Sequence, residues 1–143
     1  MEYNQRLTSK LESINFKVFL PQRDGAELDK SPFQEMTVFK RNQTIFELDI
    51  EQVLYCNIFL FVLDGRVPDE GSCFELGVAY NQKRQKNSEK QILGLHTDMR
   101  ASFIDSKLNA MIGVPFDEIF KSEKELIDYL NKINNRSDKK ALT

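Results

Sequence analysis

The sequence predicts an α/β domain built on a parallel sheet, and three observations carry the prediction. Residues 57–63, Asn-Ile-Phe-Leu-Phe-Val-Leu, are almost wholly apolar over a strand's length, as expected of a parallel strand covered on both faces. Strand-like and helix-like segments alternate along the chain, the pattern of a sheet with crossover helices. The strand-like segments run out into polar, largely acidic residues, at the carboxyl ends where such sheets bind ligands.

The elements follow in order. Leu7, Leu11 and Ile14 recur at helical spacing over residues 2–13. Residues 16–21, Phe-Lys-Val-Phe-Leu-Pro, read as a short strand closed by proline. A polar stretch with Gly25 reads as a loop to Lys30. Ser31-Pro32 reads as a helix start, serine as N-cap and proline at the first helical position, with periodicity to about Tyr55 and a break near Asn42. The apolar strand 57–63 turns at Asp64-Gly65. A helix covers about 72–86, a strand 91–95, and irregular or partly helical chain 98–113. Ser122-Glu123-Lys124-Glu125 is a capping box before an amphipathic helix to about Asn134. Residues 1–134 then form one domain, and 135–143 a charged, frayed tail.

With 143 residues, 41% hydrophobic and 29% charged, the chain suits one ordinary globular domain. The longest apolar run, 58–63, is far too short for a membrane span, and the first residues have no apolar signal core. Twenty basic against 22 acidic residues give a net charge of −2, without the basic excess of a nucleic-acid binder. Cys56 and Cys73 make neither a disulfide framework nor a zinc set; they read as reduced thiols at or near the core, which predicts a cytoplasmic location. Phe39, Phe46, Phe59, Phe61 and Phe74 read as core by position, and Lys83, Arg84 and Lys86 as a solvated helix end.

The chemistry concentrates in residues 64–77, a strand end, a loop and a helix start. With Ser72 as N-cap, Glu75 is the third helical residue. A carboxylate there lies beside unpaired backbone N–H groups and stays ionised, as a nucleophile must. Ser-x-x-Glu is also the common capping box, and capping and chemistry are compatible. Asp69 lies six residues earlier in a loop and reads either as a turn residue or as a second working acid. Asp49, among Phe46, Ile50 and Val53, sits at a helix's polar edge or is partly buried; Glu47 and Glu51 read as its solvated neighbours. His96 is the sole histidine and reads more readily as structural than catalytic. No glycine-rich dinucleotide or Walker pattern is present.

These residues resemble the nucleoside 2-deoxyribosyltransferase family. The resemblance rests on Pro21-Gln22-Arg23-Asp24, on Ile45-Phe46-Glu47-Leu48-Asp49, on Asp64-Gly65, on 69–80 (Asp-Glu-Gly-Ser-Cys-Phe-Glu-Leu-Gly-Val-Ala-Tyr), on Thr97-Asp98-Met99-Arg100 and on Leu108-Asn109-Ala110-Met111-Ile112. It implies a flavodoxin-like (Rossmann-like), doubly wound parallel sheet in three layers. It also implies an opening strand of the form Tyr-x-Ala-Gly-Pro-x-Phe, which is missing from this chain ahead of its first helix. Glu75 matches the family's nucleophile, and Asp49 and Asp69 match its base-handling acids. Gln22, Asp24, Asp64, Gly71, Ser72 and Asn109 are the substrate-binding candidates, Asn109 reaching a neighbouring subunit's site in a homo-oligomer (dimer or hexamer).

The implied function is nucleotide salvage by base exchange between a 2′-deoxynucleoside and a free nucleobase, through a covalent deoxyribosyl-glutamate, with no metal or organic cofactor. Two carboxyl groups on opposite faces of the sugar are the retaining-glycosidase arrangement. Two alternatives stand beside it. One is an N-glycoside hydrolase of deoxynucleosides or their 5′-monophosphates, with Gly71-Ser72 at the phosphate. The other is a non-catalytic nucleoside-binding domain.

Overall fold

The apolar run forms the strand it predicts. In the computed structural model, which describes residues 2–27, 30–64, 68–86, 89–98 and 108–141, β1 (Ile58–Val62) and β2 (Gln91–Leu95) pair in parallel, Phe59 opposite Ile92 and Phe61 opposite Gly94. A third strand, β3 (Glu118–Phe120), pairs in parallel with β2, Gly94 opposite Ile119. The order is β1-β2-β3. This is the flavodoxin-like α/β arrangement: parallel strands joined by helical crossovers. The periodicity missed β3, because three residues of mixed character give too short a pattern to separate from loop.

Gly94 lies in β2, the middle strand, where a Cβ would stand 3.1 Å from both Leu63 Cδ1 and Ile119 Cγ1. Glycine is required there by the close approach of flanking side chains.

Two helices pack on this sheet, α4 (Glu70–Lys86) on β1 and β2 and α6 (Glu123–Ala141) on β3. α4 turns Leu76 and Ala79 inward, both fully buried, and α6 turns in Leu126 and Leu130. The serine half of the capping box of α6 forms, Ser122 Oγ accepting from Glu125 N–H, while Glu125 Oε2 accepts from the Lys121 N–H at 2.9 Å, one residue before the cap. A single helical turn, α5 (Ala110–Gly113), precedes β3. Lys83 is an ion-pair partner of Asp117 rather than part of a solvated helix end, and Asp117 also accepts the Ile92 N–H at 2.8 Å.

Because Leu76 anchors the helix that carries Glu75, Leu76→Ala is expected to cost about 2–5 kcal/mol, the range for emptying a leucine site in a packed core. Urea unfolding measures this directly.

The structure divides into two compact units, Met1–Cys56 and Asn57–Thr143, and the sheet belongs to the second. In the first unit, α1 (Glu2–Ser13) buries Leu7 and Leu11. It ends with Asn15 at a φ of 67°, where Asn15 N–H bonds Glu12 O and Phe16 N–H bonds Leu11 O. This left-handed C-terminal motif suits asparagine.

Residues 16–20 are not a strand, contrary to their sequence pattern. A strand exists only as one side of a ladder, and among the described residues this segment has no ladder partner. Residues 22–24, expected as loop, join Pro21 in a one-turn helix, α2 (Pro21–Asp24). The Ser31-Pro32 start yields only a 3₁₀ turn, Phe33–Glu35. The long helix α3 (Val38–Tyr55) starts instead at Thr37, whose side chain accepts the Lys40 N–H, so the break falls there and not at Asn42. Phe59 and Phe61 are core, but Phe39 and Phe46 on α3 and Phe74 on α4 are exposed. Periodicity marks an apolar stripe without showing that anything covers it.

Candidate active site

The first turn of α4 corrects the predicted cap. The helix begins at Glu70, and the capping carboxylate is Asp69 rather than the Ser72 hydroxyl. Asp69 Oδ2 accepts both the Ser72 N–H at 2.8 Å and the Ser72 hydroxyl at 2.9 Å. Gly71 leaves room for this, since a Cβ there would lie 3.3 Å from the same oxygen. The backbone hydrogen bond from Ser72, then its hydroxyl, hold the Asp69 carboxyl below the ordinary aspartate range. Asp69 is therefore an anion at a helix N-terminus, not an acid in a dry setting. The Cys73 thiol beside it is pushed up by burial and by the Asp69 charge.

The sign of the pH effect follows. A carboxyl whose pKa is lowered on folding stabilises the fold at pH above the ordinary aspartate range, and that contribution is lost as pH falls through the lowered value. Asp69→Ala should cost about 1 kcal/mol at neutral pH, the usual loss for an N-cap, and should flatten the acid limb of a stability-versus-pH curve. Thermal melts across the acid range measure both.

Glu75 then lies in the second turn of α4, past the unpaired N–H groups that the predicted cap would have given it. It stands three residues after Ser72 and four after Gly71, so all three share one helix face. Glu75 is half-buried, immediately before fully buried Leu76, at the edge of the stripe that packs on the sheet. α4 starts just beyond the carboxyl end of β1, so Asp69, Gly71, Ser72 and Glu75 gather at the sheet end expected to bind ligand.

Asp64, at the same end of β1, is engaged by the end of β2. Oδ1 accepts the Thr97 N–H at 2.5 Å and the Asp98 N–H at 2.8 Å, and Oδ2 accepts the Thr97 hydroxyl at 2.6 Å. The His96 N–H bonds Phe120 O, tying β2 to β3 at the same level. Thr97 was quoted in the sequence as part of a motif but given no role of its own; its signal there was a hydroxyl residue next to an acid just after a strand. Gly65, Met99 and Arg100, quoted among the sequence motifs, lie outside the described residues.

Gln22, Asp24 and Asp49 belong to the first unit. Asp24 is bound into a local network: Arg23 Nε and Nη2 reach its two oxygens at 2.7 and 2.9 Å, and the Leu20 N–H bonds Oδ2 at 2.8 Å. Arg23 above all holds its carboxyl below the ordinary range. Gln22 is exposed in the same helical turn. Asp49, half-buried on α3, is the opposite case, because burial pushes its carboxyl up. Glu47 and Glu51 beside it are exposed, as expected. Asn109, in the second unit, is exposed and caps α5, its Oδ1 accepting the Met111 N–H at 2.9 Å.

The family model described as nucleoside 2-deoxyribosyltransferase matches residues 1–128. The chain belongs to the nucleoside 2-deoxyribosyltransferase family. No curated protein matches it. Among solved structures it is similar to a conserved protein from Enterococcus faecalis V583, at 24% identity and a TM-score of 0.67, over 89% of this chain and 86% of that one. That likeness bears on the fold. The nucleoside 2-deoxyribosyltransferase family is one of enzymes, and the residues that resemblance assigned to chemistry in this member all lie among the described residues. There, no group of histidine, cysteine, aspartate and glutamate is arranged to hold a metal ion, and no helix is long and apolar enough to cross a membrane.

Proposed function

We propose that the protein is a nucleoside 2-deoxyribosyltransferase that exchanges the base of a 2′-deoxynucleoside. Glu75 carries the reading: a half-buried carboxylate on the first two turns of α4, at the carboxyl end of the sheet, in a chain of this family. Its oxygen attacks C1′ from the face opposite the base and forms an ester. The C1′–N bond breaks, and its electron pair leaves with the base, which takes a proton. An incoming base then attacks C1′, the ester bond returns its electrons to Glu75, and the new base gives up its proton. Two inversions give overall retention.

The pKa directions support a division of labour between the two aspartates. Asp49 keeps its proton into a higher pH range than an ordinary aspartate, which suits a general acid toward the departing base. Asp69 is held as an anion by Ser72, which suits a fixed acceptor for a sugar hydroxyl. That same anion already occupies the start of α4. It therefore favours a nucleoside over a 5′-monophosphate, whose charge it would repel.

The assembly proposed is a homo-oligomer, dimer or hexamer, with Asn109 contributed across an interface. Its support is the exposed apolar surface around that residue, where Met111 is 82% and Val114 71% exposed.

Incubation with deoxyinosine and adenine tests the reading. New deoxyadenosine is the expected product. Hypoxanthine released without a new nucleoside would establish the hydrolase instead, and nucleoside binding without turnover would leave a non-catalytic binding domain.

A further inference from the structure

Eight large apolar side chains lie exposed among the described residues, and five of them, Val38, Phe39, Phe46, Leu54 and Tyr55, sit on α3. Phe39, Phe46 and Leu54 fall on one line of the helix, with half-buried Ile50 between the last two, at steps of seven, four and four residues. Phe39 is 79% and Phe46 52% exposed, a continuous apolar stripe of the kind that marks an interaction surface rather than single scattered residues. Lys40, Glu47 and Glu51, all exposed, run along one flank of the stripe at steps of seven and four. The cation stands toward the start of the helix and the anions toward its end.

This pattern is complementary to itself. A second copy of α3 laid antiparallel across a twofold axis beside Phe46 brings Phe39 against the partner's Leu54, and Leu54 against the partner's Phe39. The same rotation sets Lys40 beside the partner's Glu51, and does so twice, because a twofold contact repeats every pair. Parallel helices would instead place Lys40 on Lys40 and Glu51 on Glu51, a juxtaposition that like charges oppose. We propose that α3 is a self-association surface, covered by a second copy of this chain in an antiparallel, twofold contact along Phe39, Phe46, Ile50 and Leu54. The surface belongs to the first unit and is separate from that of Asn109 in the second. It does not rest on the transferase reading.

A twofold contact doubles whatever assembly other surfaces build, so its loss halves the mass. Phe46→Glu places a charge at the middle of the stripe. Sedimentation over a range of protein concentrations is expected to show the mass halved, with association weakened at least about 30-fold, as for loss of a central aromatic anchor. Helical content by circular dichroism should stay at the wild-type level, because the Phe46 side chain is exposed in the single chain.

Charge reversal tests the direction of the contact. Lys40→Glu and Glu51→Lys, each alone, bring like charges together at both ends and should weaken association about 5- to 10-fold. An equimolar mixture of the two variants should recover wild-type association, since the mixed pair again has opposite charges at both ends. Both changes fall at exposed positions and serve if Phe46→Glu does not fold. A wild-type chain that stays monomeric, or a mass unchanged by Phe46→Glu, would leave the stripe to a different partner and overturn the proposal. Single reversals without effect, or without recovery on mixing, would overturn the antiparallel contact.

Discussion

Glu75→Gln is expected to abolish base exchange, lowering turnover about 10⁴-fold or more, as loss of a nucleophile does in other covalent enzymes. The substitution keeps size and helix propensity but leaves no carboxylate to attack C1′. The protein should stay folded. Glu75 lies past the first turn of α4, whose cap is Asp69, and the core contact of this segment belongs to Leu76. Glu75→Ala should likewise remove turnover while the protein stays folded. A variant that turns over deoxynucleoside at near-normal rate would remove Glu75 from the reaction. A large fall in stability with turnover retained per folded molecule would make it structural.

The second large effect is expected at Asp49. Asp49→Asn should slow departure of the base about 10²- to 10⁴-fold, the usual contribution of a positioned acid. Burial raises the Asp49 carboxyl, so turnover in the wild type should fall as pH rises through that raised value, and this limb should vanish in the variant. The substitution should affect stability in the opposite sense to turnover. An acid whose pKa is raised on folding costs stability at pH above its raised value, where the charged form is buried. Asp49→Asn should therefore be at least as stable as wild type at neutral pH. An unchanged pH profile, or a destabilised variant, would contradict the assignment of the proton to Asp49.

These two residues also show what the sequence could and could not convey. The local signals were legible. An apolar run on both faces meant a covered parallel strand, and β1 and β2 formed where that predicts. Ser122 and Glu125 announced the start of α6, because that cap is local. Partnership over distance was not legible. Residues 16–20 have strand composition but no ladder, since strand propensity describes a surface that fits a neighbour and cannot supply one. Phe39 and Phe46 recur at helical spacing yet lie exposed on α3.

At the candidate site, the residue types were readable and their electrostatic roles were not. Ser72 and Asp69 are both good caps, and only the observed geometry gave the position to Asp69. That shift of the helix start moved Glu75 out of the first turn and made Asp69 the held anion. The tie from Asp64 to Thr97 spans 33 residues, a separation over which local spacing carries no information.

The central claim is an ester between Glu75 and the sugar, and the most direct measurement looks for it. The protein is mixed with a 2′-deoxynucleoside in the absence of acceptor base, quenched in acid, digested and analysed by mass spectrometry. The account predicts one added deoxyribosyl group on the peptide containing Glu75, discharged on adding adenine before the quench. Turnover with that peptide unmodified, or with the sugar on another residue, would contradict it.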